Sequence, residues 1–492
     1  MQGKKSQQEK LFISFQLSNH VPEDNFYRRL SSDLDLKFLY NLTAPYYGTE
    51  GQKSIDPVVF FKLMLVGYLE NINSDRRIIS TSRLRLDILY FIGYDLDEEL
   101  PWHSTLSRTR QLYGEHVFTE LFRRVLKQCC DKGMVSGKRQ AVDGFFIKAN
   151  ASLDSLIEKQ VLDDAAAYGQ ELKANEEHDT ATVKSIKDDY DDNGLKPKKN
   201  PSNDTHFSPS DPDAKMSTKP GKPTALNYLG QVAVDTASHM ITHVQAVTAD
   251  KRDSECLCSV LRHVKSNLDA NGLLLSEIVA DKGYSSADAL KALQASGVDG
   301  YIPNRGQFNY RRDGFIYNIE KDHYKCAYGV NVNYLGTYFI GGYWMKQYGA
   351  GVKGCKNCPV QAICIAFKGN TLRIRETIDK PYYDNMHVRM QTRKAKRLMK
   401  VRQSTVEPVI GTLVNYLGIK RVNSKGLEQA NKCLTMAAIA YNLKKLLKYR
   451  GKSIAADLNV LLNQLLILLN WVNQSNPLRK FPESNICMIV TN

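Results

Sequence analysis

A change in hydrophobic period near Lys138 constrains the fold of this chain more than any other feature. Before it, apolar residues recur at helical spacing, as in Val58–Leu69, which follows a capping Asp56 and a proline at the first helical position. After it, residues 138–149 show the short alternation of a β-strand around a single acid, Asp143. The chain therefore begins with helices and continues with a sheet.

Strand and helix patterns alternate after this point, and their order predicts a mixed α/β sheet. A hairpin, a helix, a buried strand, a second helix and a short strand follow one another in the sequence. The predicted strands are Tyr228–Val234, Met240–Val247, Leu273–Ala280 and Gly300–Pro303, and the predicted helices are Ser254–Leu268 and Ser286–Ser296.

Composition divides the chain further. Polar and Pro/Ser-rich residues predict a flexible loop, and a Tyr/Gly-rich stretch with four cysteines predicts a β-rich insertion. Ser/Thr/Arg-rich helix starts, such as residues 104–110, suit groove binding as well as plain helix packing. We therefore predict three regions. Residues 1–137 form an all-α, DNA-binding domain. Residues 138–450 form an α/β domain with the loop at 173–223 and the insertion at 301–385, and residues 451–492 form a helical tail.

Charge and hydropathy limit the class of partner. The chain has 67 Lys and Arg against 52 Asp and Glu, a formal net charge of +15, which favours nucleic acid first and an acidic membrane surface second. The apolar stretch Leu458–Val472 is interrupted by Asn and Gln, so it predicts a buried or partner-facing helix rather than a membrane span. Ten cysteines are too few for a disulfide scaffold. We expect a cytoplasmic protein.

Three carboxylates stand in positions that suggest chemistry. Asp143 interrupts a predicted strand, where Asp is disfavoured. Asp281 directly follows an apolar strand, at the sheet edge where ligands gather in α/β folds. Glu407 is predicted to open a helix with an apolar stripe, and it follows a dense basic run.

Each acid also has a structural interpretation. Asp143 could belong to a turn, Asp281 could start the turn before Gly283, and Glu407 could complete a capping box with Ser404. Asp235 in the predicted hairpin and Asp250, in a repeat of the tripeptide Ala-Asp-Lys, are competing acids. We prefer Asp281 because an apolar strand leads directly into it.

Three motifs resemble the acidic motifs of bacterial insertion-sequence transposases of the DDE class. They are AVDGFFIKANAS, IVADKGYSSADAL and STVEPVIGTLVNYLGIKRVNSKG, around Asp143, Asp281 and Glu407 respectively. GQKSIDPVVFFKLMLVGYL and WHSTLSRTR resemble the N-terminal domain of the subgroup that also carries a cysteine-containing insertion. The resemblance spans roughly residues 10–450.

This resemblance implies an RNase H-like core that brings Asp143, Asp281 and Glu407 together around two Mg²⁺ ions, for which Mn²⁺ can substitute. Hard oxygen ligands suit Mg²⁺, and two ions about 3.5–4 Å apart stabilise an in-line displacement at phosphorus. The implied partners are double-stranded DNA, as the terminal inverted repeats of the element and its target, and a second copy of the chain when two ends are paired. Such a protein would lie on the nucleoid.

The basic run before Glu407 would hold DNA phosphates, although a solvated helix face is the usual role of such runs. The chain departs from its relatives at Gln403, where they carry Arg, and at Val414, where they carry a basic residue. The predicted DNA-binding residues are Arg108, Arg110, Arg393, Lys394, Arg397, Lys400 and Arg402.

Four cysteines form a candidate zinc site: Cys326, Cys355, Cys358 and Cys364, which include one CxxC pair. Reduced, partly buried thiols explain them equally well. No HExxH, GxGxxG or GxxxxGK[ST] motif occurs, so neither a zincin-type hydrolase nor a nucleotide cofactor is supported. Two alternatives to an active transposase remain: a non-catalytic or decayed DNA-binding protein of the same fold, and an RNase H-like nuclease without strand transfer.

Overall fold

The first part of the chain folds into helices, as the apolar spacing predicts. The computed structural model describes residues 15–48, 50–51, 54–159, 201–218, 223–305, 310–351, 355–356, 358–364, 366–368 and 371–449. Asp56 caps the long apolar helix Pro57–Leu69 by accepting hydrogen bonds from the N–H groups of Val58 and Val59. The helices are α1 (Leu17–His20), α2 (Phe26–Asp33), α3 (Phe38–Thr43), α4 (Pro57–Leu69), α5 (Asp75–Leu84), α6 (Leu86–Ile92), α7 (His103–Leu112) and α8 (Glu115–Asp131).

A mixed sheet follows these helices. Among the described residues its strands run in the order β4-β5-β1-β7-β8, and β6 also pairs with β5, at residues next to those that pair with β4. Strands β5 and β6 are antiparallel to their neighbours, whereas β7 and β8 run parallel to β1. The strands are β1 (Arg139–Lys148), β4 (Lys215–Ser217), β5 (Ala225–Asp235), β6 (Ile241–Thr248), β7 (Glu277–Val279) and β8 (Asp299–Tyr301); a short pair, β2 (Ile157–Glu158) and β3 (His206–Phe207), lies apart.

Strands β1, β5 and β6 are antiparallel neighbours, and β7 and β8 run parallel beside β1. This topology is RNase H-like, as the motifs imply. The parallel steps are made through helices α9 (Asp253–Asp269) and α10 (Ala287–Ala295), which cross from β6 to β7 and from β7 to β8. Strand β5 is buried along nearly its whole length, because helices cover the sheet. The fold class predicted from the sequence is confirmed.

The last described helix joins the helical region to the sheet. After α11 (Lys380–Met390) and α12 (Arg393–Tyr416), helix α13 (Leu427–Lys448) is buried on most of its surface. On one side the Lys432 ammonium donates to the carbonyl of Arg110 in α7 at 3.2 Å. On the other side the Asn442 amide pairs with the backbone of Ile241 in β6. Helices and sheet therefore share one hydrophobic core.

A second sheet occupies much of the predicted insertion. Its strands are β9 (Phe315–Asn318), β10 (His323–Cys326), β11 (Asn331–Ile340), β12 (Tyr343–Ala350), β13 (Phe367–Lys368) and β14 (Thr371–Thr377), in the order β13-β14-β12-β11-β10-β9. Its core is small, and the tip of the β11–β12 hairpin leaves Phe339 and Trp344 exposed.

Two local predictions need correction. Residues 215–217, expected within a flexible loop, form edge strand β4, because their backbone pairs with β5. The expected strand Leu273–Ala280 shortens to Glu277–Val279. The predicted apolar helix at Leu458–Val472 and the tail at 451–492 lie outside the described residues. No helix within the described ranges is long and apolar enough to cross a membrane.

Candidate active site at the carboxyl edge of the main sheet

Asp143 lies in the interior of β1, opposite Val232 of β5, so the alternative interpretation as a turn residue is wrong. One carboxylate oxygen accepts from the N–H of Gly144 at 2.9 Å, and the other forms an ion pair with Arg402 at 3.1 Å. Burial raises the pKa of this carboxyl to about 6, although the Arg402 charge and the Gly144 hydrogen bond lower it; the charges of Asp281 and Asp253 raise it further.

Asp281 stands immediately beyond β7, which is paired in parallel with β1. The ladder ends at Ala141 and Val279, each two residues before one of these aspartates, and the Asp281 charge raises the pKa of Asp143. The Asp281 carboxylate also accepts from the N–H of Gly283 at 2.7 Å and so starts the turn Lys282–Tyr284. The structural interpretation of this residue, as the start of a turn, is therefore confirmed, and its chemical role stays a prediction.

A third aspartate, overlooked in the sequence, faces the same place. Asp253 is the first residue of α9 and is half-buried. A Cβ atom built on Gly283 would lie 2.8 Å from one Asp281 oxygen and 3.3 Å from one Asp253 oxygen. A Cβ on Gly144 would collide with the other Asp253 oxygen. The two glycines thus allow these carboxylates to lie close to the backbone.

Buried polar groups hold Asp253 in this orientation. The Gln231 amide on β5 donates to the Asp253 carboxylate at 2.8 Å, and its own oxygen accepts from the hydroxyl of Tyr284. Gln231 and Tyr284 are fully buried. The signal available in the sequence was an acid at the start of the helix after β6, but nothing local shows that this helix start meets β1.

Glu407 does not join the aspartates in this structure. It lies in the interior of α12, which begins at Arg393, so neither a helix start nor a capping box with Ser404 exists there. The buried face of α12 includes Arg402, Val406 and Val409, and at 3.6 residues per turn Glu407 points roughly 140° away from Arg402. Its side chain is exposed to solvent.

The predicted DNA-binding residues divide into exposed and engaged groups. Arg110 is buried and pairs with Asp75 at 2.5 Å, so it is a structural residue rather than a DNA contact. Arg402 is likewise buried against Asp143. Lys394 pairs with Glu277 at 2.5 Å. The remaining members of the prediction are exposed: Arg108, Arg393, Arg397 and Lys400.

The aspartate edge fits a divalent cation in one respect, since its donors are carboxylate oxygens, which suit hard cations. Within the described part of the chain, however, no three Asp, Glu, His or Cys side chains are arranged to hold a metal ion. Asp143 is held by Arg402 instead, and Glu407 points away.

The four predicted zinc ligands lie near one another beside the second sheet: Cys326 ends β10, and the other three lie between β12 and β13. Burial raises the pKa of the Cys355 thiol, and the neighbouring thiols of Cys358, Cys326 and Cys364 raise it further. The N–H of Tyr328 donates to the Cys326 sulfur at 3.5 Å. Like the carboxylates, these side chains do not converge on one point in the described residues.

Comparison with known protein families decides between the functions that such a site allows. Residues 15–112 match the family model described as Transposase domain (DUF772), and residues 325–447 match the model described as Transposase DDE domain. Both matches are to transposase domains, and they support an insertion-sequence DDE transposase. The chain is a DNA transposase, and its family depends on divalent metal ions.

Other comparisons are less informative. No curated protein matches the transposase at a significant level. Among solved structures, it is similar to a piggyBac transposase synaptic complex with hairpin DNA, at a TM-score of 0.30 and 8% identity, over 93% of this chain and 82% of that chain.

Proposed function

We propose that the transposase cuts the terminal inverted repeats of its own element and joins them to target DNA, with Asp143 and Asp281 holding two Mg²⁺ ions. The observation that supports this proposal is the parallel pairing of β1 with β7, whose ladder ends two residues before each aspartate, together with the effect of the Asp281 charge, which raises the pKa of Asp143. Bound ions would stabilise the attacking and leaving oxygens of an in-line displacement at phosphorus. Glu407 remains the third acid that the family resemblance predicts.

The proposed reaction has two steps. In the first, water attacks a phosphodiester at the element end, the bond from phosphorus to the 3′ oxygen breaks, and a 3′-OH is released. In the second, this 3′-OH attacks a target phosphodiester, a new bond to phosphorus forms, and a target 3′-OH leaves. Exposed cations on α12, among them Arg393, Arg397 and Lys400, would hold the phosphates with salt-dependent affinity.

Cleavage and joining of DNA that carries the element ends test this proposal. We expect the wild type to do both with Mg²⁺ or Mn²⁺, and Asp143→Asn, Asp281→Asn and Glu407→Gln to bind the ends without cutting. Asp250→Asn, an exposed charge loss nearby, is the control and should stay active. A wild type that binds but never cuts would favour the non-catalytic alternative, and cutting without joining would favour a nuclease.

We also propose a homodimer that pairs two element ends, a location on the nucleoid in the cytoplasm, and a structural Zn²⁺ held by the four cysteines. The mutual effect of the thiols on Cys355 supports the zinc site. Zinc analysis of protein purified without a metal-affinity tag should give one ion per chain, and the Cys355→Ser variant should give none. Light scattering with and without end DNA measures the oligomeric state.

A further inference from the structure

We propose that an open groove at the carboxyl end of β1, here called the Lys148 groove, binds the phosphate backbone of DNA through the side chains of Lys148 and Arg421. The inference rests on the proposed function and deepens it, because it assigns a DNA-binding surface to the transposase. Neither cation belongs to the set of DNA-binding residues predicted from the sequence. The support comes from the way in which the fold brings the two cations together and leaves their charges uncompensated.

The backbone fixes the two cations beside each other. The N–H of Lys148 donates to the carbonyl of Lys420 at 3.1 Å, and the N–H of Val422 donates to the carbonyl of Lys148 at 3.0 Å. These bonds form a parallel bridge between Lys148 and Arg421. The chain after α12 thus returns to the end of β1 and brings Arg421 beside Lys148, although the two residues are far apart in the sequence.

The shape and lining of the groove suit a long polyanion. Lys148 and Arg421 line an open groove of about 590 Å³. Neutral hydrogen-bonding side chains line it as well: Asn150, Ser152, Ser155, Ser210 and Thr224. Hydroxyl and amide groups, together with Lys and Arg, are the usual side-chain partners of DNA phosphates. A site for a small molecule is typically concave and mostly apolar, so an open polar groove fits a DNA backbone better.

The protein does not neutralise the charges of these two cations. Both side chains are exposed, and neither forms an ion pair within the described part of the chain. The Arg421 guanidinium donates to the amide oxygen of Asn150 at 2.9 Å, which positions the guanidinium without cancelling its charge. Asp154 is the acid among the described residues that line the groove, and it accepts from the Ser152 hydroxyl at 2.9 Å. Two cations against one carboxylate leave the groove positive.

The opposite end of the same strand shows a contrast. Arg139, at the start of β1, pairs with Glu277 at 2.5 Å, and Lys394 pairs with the same carboxylate at 2.5 Å. The cation at that end of the strand is therefore satisfied by the protein. Of the two cations in β1, the one at the groove is the one that remains available to a phosphate.

The groove lies within reach of the proposed active site along the same strand. Lys148 stands five residues beyond Asp143 in β1. At the usual rise of a strand this separation is about 16 Å, and a DNA duplex covers it with about five base pairs. One duplex can therefore contact both.

The groove also borders the helical region. Arg421 lines a second, small cavity together with Asn73, whose carbonyl accepts from the Asn423 amide at 2.8 Å. Two exposed arginines, Arg76 and Arg77, follow in the first turn of α5. A duplex that leaves the groove on this side would meet further cations, as a polyanion requires and a small anion does not.

Binding of the full chain to a random-sequence DNA duplex, measured by fluorescence anisotropy at several salt concentrations without divalent ions, tests the inference. Lys148→Gln and Arg421→Gln should each raise the Kd by roughly 3–10-fold and lower the slope of log Kd against log salt by about 0.9, the value for one lost phosphate contact. The new glutamine amide can still donate to Asn150, so the local contact of position 421 survives. Lys127→Gln removes the same charge from an exposed lysine that is paired with Asp131 in α8, so it should change neither quantity.

Thr224→Glu provides a second kind of variant, because it adds a carboxylate to the groove and removes no cation. We expect it to raise the Kd by a similar factor. Thermal unfolding checks that each variant folds. Wild-type Kd and slope in the groove variants would overturn the inference, and so would an equal loss in Lys127→Gln, because net charge alone would then explain the effect.

The same experiment separates this inference from the proposed function. If the groove variants bind like the wild type while the wild type still cuts the element ends, only the groove is ruled out. A wild type that binds no duplex DNA would overturn the proposed function as well.

Discussion

Asp235 and Asp143 lie on neighbouring strands of one sheet, yet their carboxylates have opposite surroundings. Asp235, at the end of β5, is fully buried and accepts hydrogen bonds from five groups: the N–H groups of Gly137, Ala237 and Ser238, the hydroxyl of Ser136 and the amide of Gln140. Asp143 accepts from Gly144 and Arg402 and shares its edge with two more acids.

On the proposed function, this difference separates a structural carboxylate, Asp235, from a metal-binding one, Asp143. A buried charge that is surrounded by donors is satisfied by the protein and has no need of a ligand. A carboxylate with few donors and like-charged neighbours is stabilised when a cation binds beside it. The sheet thus contains both kinds of acid, and the number of donors to each distinguishes them.

The largest expected effect is at the structural acid. Asp235→Ala leaves several buried donors without an acceptor, so the free energy of unfolding should fall by about 3–5 kcal/mol. Urea denaturation measures this loss, with the exposed Asp250→Ala as the control that should change stability by less than about 0.5 kcal/mol. A loss below about 1 kcal/mol for Asp235→Ala would contradict the comparison.

A smaller loss is expected where Arg402 is removed. Arg402→Gln leaves the half-buried Asp143 without its paired cation, so the metal-free protein should lose about 2 kcal/mol of unfolding free energy. Arg397→Gln removes an exposed guanidinium from the same helix and should cost less than about 0.5 kcal/mol. Equal losses in the two variants would mean that the ion pair is not what stabilises α12.

The pH dependence of stability should identify a third acid, Glu277, at the amino end of β7. Burial alone would raise the pKa of the Glu277 carboxyl. Hydrogen bonds from Lys394 and Arg139, and the charges of these two side chains, instead hold this pKa below its ordinary value. Its contribution is therefore present above the unfolded-state pKa, near 4.5, and is lost as the pH falls through the folded-state value.

Glu277→Gln should accordingly be less stable than the wild type at pH 7, by about 1–2 kcal/mol. The two proteins should converge in stability as the pH falls from 4.5 through the lower folded-state pKa of Glu277. Urea midpoints measured at intervals from pH 7 to pH 3 test this expectation. A constant difference across that range would show that the loss comes from packing rather than from the charge.

The smallest change in stability is expected at the proposed metal-binding acid. Asp281→Asn keeps an oxygen that can accept from Gly283, so the free energy of unfolding should change by less than about 0.5 kcal/mol. The same variant should lose DNA cleavage. A large loss of stability would instead class Asp281 with Asp235, as a structural carboxylate.

The sequence was sufficient where local patterns decide the structure. The strands that carry Asp143 and lead into Asp281 were predicted because short apolar segments there reflect burial in a sheet, and the family motifs ordered them. The helix around Glu407 was misjudged, because the capping pattern Ser404 to Glu407 also occurs inside a longer helix that starts at Arg393.

Long-range contacts explain the remaining differences. Arg402 meets Asp143 across 259 positions of the chain, and Arg110 meets Asp75 across 35, so their basic side chains looked available for DNA. Asp253 was missed for the same reason: only the assembled sheet brings the start of α9 beside β1. Partners distant in sequence, rather than residue type, decide which charges remain accessible.

Helix α13 has a consequence for the order in which the chain can fold. It packs against α4 and α8 as well as against β6, yet it is made more than 350 residues after α4 begins. The chain is synthesised at about 5–20 residues per second, so the apolar faces of the early helices stay uncovered for on the order of 20–70 s before α13 is made. During synthesis the nascent chain therefore exposes surface that favours aggregation, and a product that stops before Leu427 would lack the helix that closes its core.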